Sequence, residues 1–141
     1  MKKKNCLIYL SGAIFLLSVS LSLAADTGIR ITDVKMAYGI DEKYNPINAT
    51  QQFPNGTSKV FCWFQWKDAT INTPVTAKWV YVTGDIPVLN YTLSVPRKEG
   101  SGGIALAMPQ GKTLPAGSYK VTLESDKKAS LKSVQFTVLE K

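Results

Sequence analysis

Apolar and polar residues alternate along most of the chain beyond residue 28, and this alternation is typical of half-buried β-strands. No segment sustains the three-to-four-residue periodicity of an amphipathic helix. Seven segments combine the alternation with β-branched and aromatic residues: 29–38, 59–67, 75–83, 87–95, 103–108, 118–124 and 132–139. Clusters of Gly, Pro, Asn, Asp and Ser separate the later segments at roughly 8–12-residue spacing. The pattern predicts an all-β antiparallel sandwich of about seven strands.

The first predicted strand, 29–38, changes phase in its middle. Ile29 and Ile31 share one parity, whereas Val34 and Met36 share the other. Because side chains alternate sides along a strand, this slip predicts a β-bulge or an edge strand.

The beginning of the chain has the order of a signal peptide. Three lysines at 2–4 precede an apolar run over 6–19, and small residues then lead to Ala25. Ser and Gly interrupt the apolar run, so we expect a leader cleaved at 1–24 and not a membrane-spanning helix. The mature domain is then 25–141, with no transmembrane segment, in a periplasmic or secreted protein.

The composition removes several classes of function. The 141-residue chain contains no histidine, which excludes histidine-based nucleophilic catalysis and imidazole-ligated zinc or copper. We identify no catalytic residue, metal ligand or cofactor site, and a carboxylate-based hydrolase is the enzyme class left. The formal charge of +7 falls to about +4 without the leader lysines, and the remaining basic residues are scattered. We therefore expect no nucleic-acid partner.

Cys62 is the single cysteine of the predicted mature domain, because Cys6 lies in the leader. An internal disulfide is therefore not expected. The flanking sequence, Val-Phe before and Trp-Phe after, favours a buried thiol over a reactive one.

Residues 114–121, LPAGSYKV, resemble the turn into the sixth strand of small secreted bacterial immunoglobulin-like sandwiches. In such domains a tyrosine, here Tyr119, opens the strand and returns its hydroxyl to the preceding backbone as a tyrosine corner. The resemblance extends to Cys62 on the second strand, Trp79 on the third, and Val121 where antibody domains place their second cysteine. The resemblance implies structural roles for these four residues. It indicates the fold of the domain and says little about its activity.

An inward-facing Cys62 sets the predicted core face by period two. The positions predicted to face inward are Val60, Cys62, Phe64, Trp66, Val75, Ala77, Trp79, Tyr81, Leu89, Tyr91, Leu93, Ile104, Leu106, Met108, Tyr119, Val121, Leu123, Val134, Phe136 and Val138.

Phe61 and Trp63 then fall on the outer face of their strand, where polar residues are the norm. One interpretation is that the long segment 39–58 folds back and covers both rings, which would explain a loop of about twenty residues. The other is an exposed aromatic platform for a protein or glycan. We favour the covering loop, and we expect any binding site to involve Phe61 and Trp63, with 39–58 as its wall or lid.

Three classes of function remain open from the sequence. The first is an exported, non-enzymatic binding or accessory module, monomeric, that acts through one sheet face or one end of loops. The second is a structural or assembly component that pairs an edge strand with a partner, for which 29–38 is the candidate. The third is the carboxylate-based hydrolase.

Overall fold

The structure, a computed structural model, describes residues 28–125 and 128–141, without the side chains of 128–130. The predicted signal peptide, 1–24, lies outside the described residues. The described strands are β1 (Arg30–Ala37), β2 (Gly39–Ile40), β3 (Pro46–Ile47), β4 (Gln52–Phe53), β5 (Lys59–Lys67), β6 (Pro74–Tyr81), β7 (Ile86–Ser94), β8 (Gly100–Ala107), β9 (Gly117–Ser125) and β10 (Lys128–Val138).

The strands form an immunoglobulin-like sandwich of two sheets. One sheet has three strands in the order β1-β5-β8, and the other has five in the order β4-β10-β9-β6-β7. The short strands β2 and β3 form a separate antiparallel ribbon. All pairs are antiparallel except β4 with β10. The predicted all-β class is confirmed, with ten strands instead of seven because β2, β3 and β4 lie in a segment that shows no strand pattern.

The phase slip in β1 corresponds to a β-bulge at an edge. β1 is the outermost strand of its sheet, and its register with β5 shifts between Ile31 and Asp33. Thr32 is the extra residue, which lets Ile31 and Met36 both reach the core although their parities differ.

The core lies between the two sheets and follows the predicted alternation closely. The residues of β5, β6, β8, β9 and β10 buried at its centre are Val60, Cys62, Phe64, Trp66, Val75, Ala77, Trp79, Ile104, Leu106, Tyr119, Val121, Leu123, Phe136 and Val138. Tyr81, Leu89, Leu93, Met108 and Val134 are partly buried against it. Burial of these apolar surfaces supplies the main favourable term in folding.

Tyr91 lies on the predicted inner side of its strand but is not buried. Its register partner Ala77 is fully buried, yet Tyr91 on the same face is 52% exposed. β7 is the outer strand of the five-stranded sheet, and the facing sheet has only three strands. The larger sheet therefore extends beyond the smaller one at β7, and Tyr91 lies on the uncovered part.

Candidate functional site

Tyr119 lies at the start of β9 in the arrangement of a tyrosine corner. Its ring is 2% exposed and stacks on Phe136 with 4.8 Å between centroids and 5° between planes. Its hydroxyl donates a hydrogen bond to the carbonyl of Pro115 at 2.5 Å. Burial, with a smaller contribution from neighbouring Tyr81, raises the pKa of Tyr119 to about 12. The hydroxyl therefore acts here as a neutral structural donor.

Trp79 and Val121 face each other across β6 and β9, and both are fully buried. The indole N–H of Trp79 has no acceptor among the described residues. The free energy lost by burying this donor unpaired is offset by the packing of the ring. The ring meets Phe136 edge-on at 6.2 Å between centroids.

Cys62 is a free, fully buried thiol in the same core. Desolvation raises its pKa to about 12, because the interior disfavours the thiolate. The reactive form of the side chain is therefore scarce at neutral pH.

We expect native protein to react with a maleimide reagent far more slowly than denatured protein, by at least a hundredfold. The reason is that both exposure and ionisation of Cys62 require unfolding. Mass spectrometry of samples quenched over time measures the two rates. Rapid labelling of the folded chain would contradict the buried position.

Trp63 does not form an exposed platform. It is 6% exposed, and its indole N–H donates to the carbonyl of Tyr44 at 2.7 Å. The hydroxyl of Ser101 donates to the same carbonyl at 2.9 Å. Phe61 is half-buried, with the ammonium of Lys59 5.0 Å from its ring centroid. The β2–β3 ribbon therefore covers Trp63, whereas the covering-loop interpretation expects both rings to be covered and Phe61 is only half-buried.

The turn between β2 and β3 is held by Asp41. Its carboxylate accepts the backbone N–H groups of Lys43 at 2.8 Å and Asn45 at 2.9 Å. These bonds, first that of Asn45, lower the pKa of Asp41. Tyr44 adopts a positive φ of 63° at the tip, which directs its carbonyl toward Trp63 and Ser101.

A concave surface lies beside this turn, along the flank where β7 and β8 form the outer strands of opposite sheets. A groove of about 440 Å³ opens here, and we call it the flank groove. Its lining residues are Ile40, Lys43, Tyr44, Phe64, Trp66, Leu93, Pro96, Arg97, Gly100, Ser101, Gly102 and Gly103. The volume is in the range of small-ligand and peptide side-chain sites.

The shape of the flank groove depends on the glycines that begin β8. A Cβ on Gly103 would clash with Cδ1 of Ile40, and one on Gly100 would stand 3.1 Å from the Trp66 ring. Both positions therefore bring neighbouring side chains against bare backbone. A Cβ on Gly102 would stand 3.7 Å from Trp66, which is ordinary contact.

The groove combines an apolar floor with two cations. Phe64 and Trp66 come from the core side of β5, and the indole N–H of Trp66 donates to the carbonyl of Arg97 at 3.0 Å. Lys43 and Arg97 are the charged residues that line it, and no carboxylate lines it among the described residues. The electrostatic preference is therefore for an anionic group beside an apolar one.

A second cavity, which we call the end pocket, lies at the other end of the same flank. Its volume is about 290 Å³, and its walls are Tyr81, Ile86, Pro87, Val88, Met108, Leu114, Pro115 and Tyr119. The hydroxyls of its two tyrosines are already bonded, that of Tyr81 to the carbonyl of Ala116 at 2.6 Å. The end pocket therefore presents apolar surface.

Sequence reasoning placed the site on Phe61 and Trp63, which do not line the flank groove. Ile40, Lys43 and Tyr44 of segment 39–58 form one wall of the flank groove, whereas the predicted wall or lid belonged to a site at Phe61 and Trp63. The residues that sequence reasoning missed are Trp66, Arg97 and the glycines of 100–103. The run Gly-Ser-Gly-Gly over 100–103 is the available signal, although a glycine-rich run is also typical of a turn.

Within the described part of the chain, no three His, Cys, Asp or Glu side chains cluster closely enough to hold a metal ion. The same residues include no helix of the length and apolarity needed to cross a membrane.

The chain matches no family model, and no curated protein matches it in sequence. Among solved structures, an immunoglobulin-like protein from Pseudomonas aeruginosa is similar at a TM-score of 0.55 and 14% identity, over 81% of this chain and 98% of that one. A Niemann-Pick type C2 protein from the Japanese carpenter ant is similar at 0.43 and 12% identity, over 79% and 91% of the two chains. The second score is too low to carry an argument. The first supports the immunoglobulin-like fold alone.

Proposed function

We propose that this chain is an exported, non-enzymatic binding module that contacts its partner along the flank between β7 and β8. Export rests on the leader-like order of the first 24 residues. The proposal of binding without catalysis rests on the chemistry at the flank, where apolar side chains, bare backbone and two cations come together.

The observation that carries the proposal is the uncovered inner face of β7 beside the flank groove. Tyr91 is 52% exposed, and Leu89 and Leu93 on the same face are only partly buried. Apolar surface left open beside a concave groove is the usual mark of an interaction site.

Site-specific photo-cross-linking in the natural host tests this function. A benzoylphenylalanine in place of Tyr91 is expected to cross-link a partner, because the ring projects from the flank. The matched control replaces Lys120, which is exposed on β9 of the same sheet. The chain is expressed with its own leader, so conjugates recovered only from the exported fraction also test export.

A conjugate formed from position 91 and absent from position 120 supports the proposal. Equal conjugation from both positions, or none from position 91, would overturn binding at the flank. Conjugates confined to the cytoplasmic fraction would overturn export.

A further inference from the structure

We infer that the flank binds an extended peptide segment of a partner protein as an added antiparallel strand on β8, with a carboxylate of that segment held by Lys43 and Arg97. This inference rests on the proposed function, whose site it shares. It names the mode of binding and the chemistry of the partner.

The first support is that β8 is an outer strand without the features that usually protect outer strands. β8 pairs with β5 on one side, and no described strand pairs with its other side. Its sequence, GSGGIALA, contains no charged residue and no proline. Unpaired backbone N–H and C=O groups along such an edge are a template for another strand.

The other outer strands of the two sheets differ in this respect. β1 has a bulge between Ile31 and Asp33 and carries Lys35. β7 contains Pro87 and a register shift at its pairing with Val80. β4 is only two residues long. Bulges, prolines, charges and short length are the devices that prevent strand addition, and β8 lacks all four.

The second support is the space beside that edge. Gly100, Gly102 and Gly103 line the flank groove at the start of β8, and a strand added in the plane of the sheet would lie about 4.8 Å from that backbone. Trp66 stands on the inner side of the edge and Ile40 on the outer side. The groove therefore provides a surface for the side chains that a partner strand would project to both faces.

The third support is the position of the two cavities relative to β8. The flank groove includes Gly100–Gly103 at the start of the strand, and the end pocket includes Met108 just beyond its end. Eight residues of antiparallel strand span about 25 Å. One partner segment of that length reaches both cavities, which would accept residues near its two ends.

Charge and strand direction together specify the partner. An antiparallel segment would run from the end pocket toward the flank groove, so its C-terminal end would meet Lys43 and Arg97. These cations favour a carboxylate there, either a chain terminus or an acidic side chain. The apolar end pocket favours an aliphatic or aromatic side chain near the N-terminal end.

Binding of synthetic octapeptides, followed by fluorescence anisotropy, tests the inference. The probe alternates Val and Thr, carries its dye on an N-terminal Gly-Gly linker, and ends in a free carboxylate. A C-terminal amide version and an amide version with a terminal Asp separate the two sources of the carboxylate. We expect at least one of the two carboxylate probes to bind at least tenfold more tightly than the plain amide.

N-methylation distinguishes strand addition from non-specific apolar binding. Alternate N–H groups of an added strand face β8 and the others face solvent. Methylating one alternate set should weaken binding at least tenfold, and methylating the other set should change it less than threefold. Equal effects of the two sets would overturn strand addition.

Variants of the chain locate the binding. Lys43→Gln and Arg97→Gln should each reduce the difference in affinity between carboxylate and amide probes, because each removes a positive charge from the groove. Arg97→Gln keeps the hydrogen bond from Trp66, since that bond is to the backbone carbonyl of residue 97. Lys120→Gln, on the other sheet, should leave that difference unchanged. Gly102→Val should weaken every probe without clashing at its Cβ, since the nearest atom is 3.7 Å away. Thermal melts confirm that each variant is folded.

Three further results would overturn the inference. They are equal affinity for carboxylate and amide probes, no binding of any probe, and dimerisation of the chain through β8 in sedimentation equilibrium, which would make a second copy the occupant. A partner cross-linked from position 91 in a chain that binds no octapeptide would leave the proposed function standing and remove only strand addition.

Discussion

Replacement of Tyr119 by alanine is expected to lower the free energy of unfolding by about 3–5 kcal/mol. The ring is almost fully buried and contacts two other rings, Phe136 at 4.8 Å and Tyr81 at 4.9 Å between centroids. Its removal empties a large site that these rings cannot refill by small movements. Urea denaturation followed by tryptophan fluorescence measures the loss.

Tyr119→Phe separates the hydroxyl from the ring. It keeps the stacking and removes the hydrogen bond to the carbonyl of Pro115, so the expected loss is about 1 kcal/mol. Tyr81→Phe is a matched control, because it removes a similar bond to Ala116 from a less buried ring. Small and equal losses for Tyr119→Ala and Tyr119→Phe would place the ring at the surface and contradict the tyrosine corner.

The sequence was most informative for strands whose inner side is fully covered by the opposite sheet. In β5 the alternation identified Val60, Cys62, Phe64 and Trp66 as core residues, and all four are buried. The pattern works there because the inner side of β5 faces a larger sheet, so its inward-facing residues are also buried.

The same reasoning did not predict the exposure of Tyr91, because alternation indicates on which side of the sheet a residue lies and not whether the opposite sheet covers that side. Whether that side is buried depends on how many strands the facing sheet has, which no local pattern encodes. The flank exists for this reason, since the five-stranded sheet extends beyond the three-stranded one at β7.

The candidate site was harder to predict because its main wall has almost no side chains. Gly100, Gly102 and Gly103 have no side chains that would mark them in a hydrophobic pattern. Their backbone is open to a partner only because β8 is the outermost strand of its sheet. Lys43 and Arg97 are far apart in sequence, and only the fold brings both of them to the same groove. Such a site follows from topology, which single-sequence patterns determine weakly.

Replacement of Trp63 by alanine is expected to lower the free energy of unfolding by about 3–5 kcal/mol. The indole packs beneath the β2–β3 ribbon at 6% exposure and binds the carbonyl of Tyr44. Alanine would leave a cavity under the ribbon and remove one of the two side-chain donors to the carbonyl of Tyr44, the other being Ser101. Urea denaturation again measures the loss.

Two companion variants show which part of Trp63 matters. Trp63→Phe keeps an aromatic ring and deletes the N–H, so a loss of about 1–2 kcal/mol is expected, with the carbonyl of Tyr44 still bonded by Ser101. Phe61→Ala changes the same face of the same strand at a half-buried ring, and its loss should be clearly smaller than that of Trp63→Ala.

The outcome also tests the covered position of Trp63 beneath the ribbon. A large loss of stability for Trp63→Ala means that the ribbon and the indole form one packed unit, whose turn supplies Lys43 and Tyr44 to the flank groove. Stability unchanged within about 0.5 kcal/mol, together with lost partner cross-linking, would show that Trp63 contacts the partner. The binding site would then include the outer face of β5, and the β2–β3 ribbon would have to move away when the partner binds.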